Sequence, residues 1–219
     1  MELYLTRVTL DPRRRAVREL SRDVYEAHRT VMAAFPDRPG SAARSEFGVL
    51  WRHETGRAPA LLVQSLVEPD RSAWSGLGSE VVTKRIDGML RRALTPGRLL
   101  RFRLRANPTR KIDTKTGPDG ARRHGRRVPL RGDGDRILWI VRRLGSAGAP
   151  VVALNGVPDV RVEGSGLLRG RGNGRTVTVE AVDFAGRLVV DDPGRLLDSI
   201  GLGVGPAKAF GMGLVMLAP

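Results

Sequence analysis

A tyrosine and a histidine stand three residues apart in a segment with helical periodicity. Residues at positions i and i+3 share one side of a helix, so Tyr25 and His28 lie together beside an apolar stripe of Val24, Ala27, Val31 and Phe35. Histidine titrates near neutrality and can move protons, and tyrosine can hydrogen-bond a phosphate. Two interpretations stay open: a partly buried packing histidine, or a pair for metal-free RNA cleavage through the neighbouring 2′-hydroxyl.

The positive charge of the chain is concentrated in one stretch. The 219 residues carry a formal net charge of +15. Residues 84–143 hold 19 basic and 5 acidic side chains, a balance of +14, whereas the flanking parts are nearly neutral. Such a concentration indicates a polyanion site, because a charge surplus that serves only solubility is spread over the surface.

Arginines dominate this stretch. Arg101, Arg103 and Arg105 alternate with apolar residues, which predicts a strand with one cationic face, and further cations follow among glycines and a proline in a predicted loop or hairpin. No amphipathic helix with large apolar residues accompanies them, so a membrane surface is disfavoured. Nucleic acid is the favoured partner, and a solvated basic surface is the alternative.

The C-terminal segment 201–213 is rich in glycine. It contains no Walker lysine motif, and too few residues follow it for a dinucleotide-binding βαβ unit. It is either a tight turn before an edge strand or a loop that phosphates approach closely, with Lys208 adding charge.

Composition narrows the chemistry further. The chain has no cysteine and only three histidines, without metal-ligand spacing, so we expect neither a metal site nor a small-molecule cofactor. The N-terminus lacks the apolar block of a signal peptide, and no stretch approaches the length of a membrane span. We expect a soluble cytoplasmic protein.

The two halves of the chain are predicted to contain strands and helices in the same order. In the first half we predict strands at 2–9, 44–53, 60–67 and 80–86, a helix at 20–35 with Ser21 available as its N-cap, and a short helix and linker at 87–97. In the second half we predict strands at 99–106, 157–163, 176–183 and 212–217, and helices at 135–148 and 193–200. This order predicts an α+β fold of two tandem ferredoxin-like (RNA-recognition-like, βαββαβ) domains, 1–94 and 95–219.

Several segments together resemble the CasE family, the CRISPR repeat-RNA endoribonuclease subunit of type I-E Cascade complexes. The matching segments are residues 3–7 (LYLTR), 25–28 (YEAH), 62–65 (LVQS), 100–109 (LRFRLRANPT) and the glycine-rich loop through Gly213. The segment 100–109 and the terminal loop are specific when taken together, and the matches span the chain in order.

The resemblance implies an activity and its residues. It implies metal-independent cleavage of the CRISPR repeat at the 3′ base of its stem-loop, leaving 5′-hydroxyl and 2′,3′-cyclic phosphate ends, with His28 and Tyr25 as the catalytic pair. It further implies that the enzyme keeps its product and joins other Cascade subunits. The predicted RNA-binding residues are Arg29, Arg101, Arg103, Arg105, Arg110, Lys111, Lys115, Arg122, Arg123, Arg126, Arg127, Arg131 and Lys208.

Two other functions are compatible with the same residues. A non-catalytic RNA-binding subunit would keep the basic stretch and be indifferent to His28. A basic structural module of another ribonucleoprotein would bind a scrambled stem as well as a repeat hairpin.

Overall fold

A computed structural model describes residues 1–37, 43–112, 126–172 and 174–219. The predicted RNA-binding residues Lys115, Arg122 and Arg123 lie outside the described residues. The described part contains helices and antiparallel sheets, which confirms a mixed α and β fold.

The first half builds one four-stranded antiparallel sheet in the order β2-β3-β1-β4. Its strands are β1 (Tyr4–Leu10), β2 (Leu50–Glu54), β3 (Ala60–Ser65) and β4 (Gly78–Arg85). Its helices are α1 (Arg15–Arg22), α2 (Val24–Met32), α3 (Ala43–Glu46) and α4 (Asp87–Ala93), with a 3-10 helix at Arg71–Trp74.

The second half builds another four-stranded antiparallel sheet in the order β10-β11-β5-β12. Its elements in chain order are β5 (Leu99–Ala106), β6 (Thr109–Ile112), β7 (Arg126–Pro129), α5 (Asp133–Ser146), β8 (Ala153–Leu154), β9 (Val157–Pro158), β10 (Val160–Gly172), β11 (Arg175–Val189), α6 (Pro193–Leu202), a 3-10 helix at Lys208–Phe210, and β12 (Val215–Ala218). In both sheets the first main strand lies between the third and the fourth.

The helix predicted at 20–35 is two helices, so that prediction was wrong in its bounds. Asp23 has extended backbone angles and separates α1 from α2. Its side chain accepts hydrogen bonds from the backbone N–H groups of Tyr25 and Glu26, and it is therefore the N-cap of α2. Ser21, predicted as the cap, instead donates its hydroxyl to the Val17 carbonyl at 2.7 Å.

The strand predicted at 44–53 begins later, at Leu50. The preceding residues form α3 and a turn in which the Val49 N–H donates to the Arg44 carbonyl at 2.8 Å. Gly48 takes a φ of +58°, the left-handed conformation in which helices commonly end. This turn brings Arg44 back over the start of β2.

The hairpin of β10 and β11 is longer than the strands predicted at 157–163 and 176–183. The two strands stay paired up to Gly172 and Arg175, so the glycine-rich connection is itself mostly strand. The glycines allow close packing on α2: a Cβ at Gly170 would lie 2.8 Å from a Val24 methyl carbon, and one at Gly172 would lie 3.0 Å from the Tyr25 ring.

A polar cluster joins the two sheets. Asp183 of β11 accepts from Arg105 of β5 and pairs with the buried Arg52 of β2, with an Arg52 Nη2 to Asp183 Oδ1 distance of 3.2 Å. Arg105 also donates to the His53 carbonyl at 3.2 Å. These contacts set the orientation of the first half against the second.

Candidate functional site

Tyr25 and His28 lie one helical turn apart on α2, as their spacing predicts. The Tyr25 ring packs edge-on against Phe210, with 5.3 Å between the ring centroids. The N–H of Arg171 in β10 donates to Asp23, the cap of α2, at 2.9 Å. The catalytic candidates therefore sit on a first-half helix that two second-half elements hold in place.

His28 is half-buried in this setting. Its Nδ1 atom is buried and has no hydrogen-bond partner among the described residues. Burial lowers the pKa of the imidazole, and the positive charge of Arg44 lowers this pKa further. Both effects favour the neutral ring, because an imidazolium would leave a charged N–H in the interior without an acceptor.

Two cations lie near the catalytic helix: the charge of Arg44 acts on His28, and the 3-10 helix that carries Lys208 contacts α2. Arg44 is partly buried, and its Nη1 donates to the Val49 carbonyl at 3.1 Å. Burial lowers the pKa of Lys208, and the charges of Arg44 and Arg143 lower it further. Neither cation forms an ion pair with another residue that the structure describes, and cations without such partners are suited to bind a phosphate.

The glycine-rich loop carries Lys208 to this place. Trp51 of β2 donates its indole N–H to the Ala209 carbonyl at 3.2 Å. Gly211 has a φ of +80°, and a Cβ on it would lie 2.9 Å from the Trp51 ring. The loop is thus a tight turn that also touches the first half, and the close approach of phosphates to it stays a prediction.

The arginines of β5 alternate as predicted, with Phe102 and Leu104 buried on the opposite face. Each guanidinium has a partner within the protein. Arg101 donates to the Pro219 carbonyl at 2.8 Å, Arg103 pairs with Glu163 at 3.4 Å, and Arg105 forms a two-pronged pair with Asp183. The role of these three residues in RNA binding stays a prediction.

The other predicted RNA-binding residues fall in several places. Arg29 is exposed on α2 and pairs with Glu26. Arg110 and Lys111 lie on β6, and Arg126 and Arg127 lie on the paired strand β7, where Arg127 is opposite Lys111. Arg131 is exposed before α5. Arg110 and Lys111 line a depression of about 360 Å³ next to α5.

Sequence reasoning missed two arginines that line the same depression. Arg142 and Arg143 are exposed on α5 and have no ion pair within the described ranges. The Arg143 guanidinium lies 5.4 Å from the centroid of the Trp139 ring, a cation–π distance. Their position on the polar face of a helix in the basic stretch was the available signal.

The part of the chain that the structure describes contains neither a candidate metal-binding cluster nor a candidate membrane-spanning helix. It contains no group of three or more histidine, cysteine, aspartate or glutamate side chains arranged to hold a metal ion. None of its helices combines the length and the apolar character needed to cross a membrane.

The fold and the cationic site together indicate a protein that binds phosphate polyanions. Residues 3–219 match the family model described as CRISPR associated protein. The chain therefore belongs to the family of CRISPR-associated proteins.

Individual relatives are similar over their full length. The CRISPR-associated endoribonuclease Cse3 of Thermus thermophilus is 36% identical over 226 residues, which cover 99% of this chain and 100% of that protein. The CRISPR system Cascade subunit CasE of Escherichia coli is 33% identical over 219 residues, 99% of this chain and 100% of that protein. A solved structure of Thermus thermophilus Cse3, bound to an RNA representing a pre-cleavage complex, matches with a TM-score of 0.82 and 35% identity over 100% of both chains.

Proposed function

We propose that this protein is a metal-independent endoribonuclease that cleaves CRISPR precursor RNA within the repeat, at the 3′ base of its stem-loop. The observation that carries the proposal is the position of His28, which is half-buried beside Arg44 on a helix that the Lys208 segment contacts, in a chain similar over its full length to a CRISPR-associated endoribonuclease. The expected ends are a 5′-hydroxyl and a 2′,3′-cyclic phosphate.

The reaction is an in-line transesterification. The 2′-oxygen forms a bond to the adjacent phosphorus, the bond from phosphorus to the 5′-oxygen breaks, and one proton leaves the 2′-hydroxyl while another joins the 5′-oxygen. His28 serves as the general acid or base. The lowered pKa keeps its ring neutral at pH 7, which is the form that accepts the 2′-hydroxyl proton.

The reacting nitrogen of His28 is Nε2. Because Nδ1 of His28 is buried away from solvent, proton exchange with a bound RNA falls to Nε2. The Tyr25 hydroxyl assists at the scissile phosphate. Lys208 and Arg44 supply positive charge for the phosphate as its charge grows in the transition state, in a partly desolvated setting where that attraction is strong.

The two halves are ferredoxin-like domains that divide at residues 94 and 95. Supporting this, each sheet has its first strand between the third and the fourth, with a helix-containing crossover after its first strand and an adjacent hairpin of the second and third strands. The first domain presents the catalytic helix, and the second presents most of the cations that bind the hairpin.

The protein acts as a subunit of a larger complex. A relative at 33% identity is a Cascade subunit, which supports retention of the processed RNA within a Cascade assembly in the cytoplasm. Holding the product makes turnover essentially single, because release of the RNA is slow.

Cleavage of a labelled CRISPR repeat hairpin from the host in EDTA tests the proposal. Wild type should cut once at the 3′ base of the stem and leave the two predicted ends, and His28→Ala should bind equally well without cutting. Binding by wild type without cleavage in EDTA would contradict the proposal, and it would favour the non-catalytic RNA-binding subunit.

A further inference from the structure

The tip of the β10–β11 hairpin carries a second cationic surface, built from residues outside the basic stretch of the sequence. In the strand register Arg169 lies opposite Thr178, and Arg171 lies opposite Thr176, with all four side chains exposed. Together with Arg22 at the end of α1, these residues line a depression of about 310 Å³. We call this surface the hairpin patch.

The cations of the hairpin patch are available to a ligand. Arg22, Arg169 and Arg171 make no ion pair with any other residue that the structure describes, whereas Arg161 and Arg187 lower on the same hairpin pair with Glu163 and Asp159. Within the described residues, the arginines at the tip of the hairpin thus lack the ion pairs that the arginines at its base form.

The one carboxylate that lines the hairpin patch is already engaged. Although burial alone would raise the pKa of Asp23, the backbone N–H groups of Arg171, Tyr25 and Glu26 lower it by hydrogen bonding. The hairpin patch contains three guanidinium groups, two threonine hydroxyls and one carboxylate. Because the oxygens of that carboxylate accept hydrogen bonds from the backbone, the patch keeps an excess of positively charged donors.

The hairpin patch is close to the catalytic helix. Asp23 precedes His28 by five residues, about 7.5 Å along the axis of α2. Gly170, which lies between the two tip arginines, packs against the Tyr25 ring. The 3-10 helix that carries Lys208 also contacts α2. The charge of Arg143 acts on Lys208, and Arg143 lines the depression that Arg110 and Arg142 share.

Two cationic surfaces of unequal size therefore lie near the helix that carries the proposed cleavage residues. The stem-loop precedes the scissile phosphate in the RNA and presents two strands of phosphates, which fits the surface in the stretch that carries a balance of +14. We infer that the hairpin patch binds the phosphodiester backbone of the single-stranded RNA on the 3′ side of the scissile phosphate.

This inference rests on the proposed function and adds a substrate subsite to it. Contacts from arginine forks and threonine hydroxyls to phosphate oxygens carry no base readout, so a subsite that binds the backbone accepts any sequence. It distinguishes precursor from product, because only the precursor has RNA 3′ of the cleaved bond.

The test measures binding of two uncleavable repeat RNAs that carry a 2′-deoxy sugar at the attacking nucleotide. One RNA ends at the scissile phosphate, and the other continues for several nucleotides on its 3′ side. Arg169→Gln/Arg171→Gln should weaken binding of the longer RNA about tenfold and lower its salt slope by about 1.4, two contacts at about 0.7 each. Binding of the shorter RNA should change less than about twofold.

A charge-matched variant is the control. Arg57→Gln/Arg71→Gln removes two exposed arginines that have no ion pair in the described ranges and lie outside both cationic surfaces. It should weaken both RNAs equally and slightly. Equal losses on both RNAs for the Arg169 and Arg171 variant, no loss, or a loss that follows a 5′ flank instead would overturn the inference.

The outcome is separable from the proposed function. If wild type cuts the repeat hairpin but the variant treats the two RNAs alike, the subsite is wrong and the nuclease assignment stands. If wild type leaves the cleavable hairpin whole while discriminating the two RNAs, the subsite stands and the nuclease assignment fails.

Discussion

Two arginine-bearing surfaces of the second half look alike in sequence and differ in the structure. On β5 the guanidinium groups of Arg101, Arg103 and Arg105 all have acceptors within the protein. On α5, Arg142 and Arg143 have no ion pair within the described residues. An arginine that already satisfies carboxylates and carbonyls stabilises the fold, whereas one without such partners keeps its donors for phosphates.

The largest expected effect that separates the two surfaces is on stability. Arg105→Gln removes the pair with Asp183 and the bond to the His53 carbonyl, and it leaves the buried Arg52 as the remaining partner of Asp183. The free energy of unfolding should fall by about 2 kcal/mol, the range for hydrogen bonds to charged groups.

Urea unfolding measures this change, and Arg142→Gln is the matched control. Arg142 is exposed without an ion pair in the described part, so its substitution should change stability by less than about 0.5 kcal/mol. Equal effects of the two substitutions would remove the distinction between the surfaces.

The reverse ordering is expected for RNA binding. Arg142→Gln/Arg143→Gln should weaken binding of the repeat hairpin about tenfold and lower the salt slope by about 1.8, two duplex phosphate contacts at about 0.9 each. Titration of labelled hairpin at several salt concentrations measures both quantities. If Arg101→Gln/Arg103→Gln has the larger effect on the salt slope, the β5 face is the principal RNA surface despite its internal pairs.

The smallest effect concerns the titration of His28. Arg44→Gln removes a positive charge that lowers the pKa of His28, so that pKa should rise while staying below the ordinary value because burial is the larger cause. The pKa of His28 is lower in the folded than in the unfolded protein, so the neutral ring stabilises the fold above the unfolded pKa, and this stabilisation is lost as the pH falls. Because the difference in pKa is smaller in the variant, its free energy of unfolding should be less sensitive to mild acid.

Imidazole NMR signals followed against pH measure this shift. His53 is the internal control, because burial and then the charge of Arg105 lower its pKa, and Arg44 is not among the causes. A shift of His53 as large as that of His28 would show a general change of structure instead of a local loss of charge.

Local patterns predicted those parts of the fold that depend on neighbouring residues. The alternation of β5 predicted its bounds, 99–106, and the spacing of Tyr25 and His28 placed both on one helix. The break at Asp23 was missed because the apolar period continues through it, and the backbone that Asp23 also binds, at Arg171, is 148 positions away.

Contacts distant in the chain explain the remaining differences. The partner of Arg105 lies 78 positions away, so no local pattern distinguishes this arginine from Arg142. Arg44 lies in the turn that ends at Gly48 and Val49, and its effect on His28, 16 positions earlier, follows from no local pattern. The glycines at 170 and 172 predicted a loop, but in the structure they lie in a strand and allow it to pack closely on α2.

The most direct test of cleavage by His28 on α2 and RNA binding by the arginines of α5 compares two variants on one RNA. The measurement is single-turnover cleavage of the repeat hairpin at saturating protein, together with its affinity. His28→Ala should lose about 10²–10⁴-fold in rate with unchanged affinity. Arg142→Gln/Arg143→Gln should lose affinity and keep the wild-type rate at saturation; equal losses of rate in both variants would contradict the account.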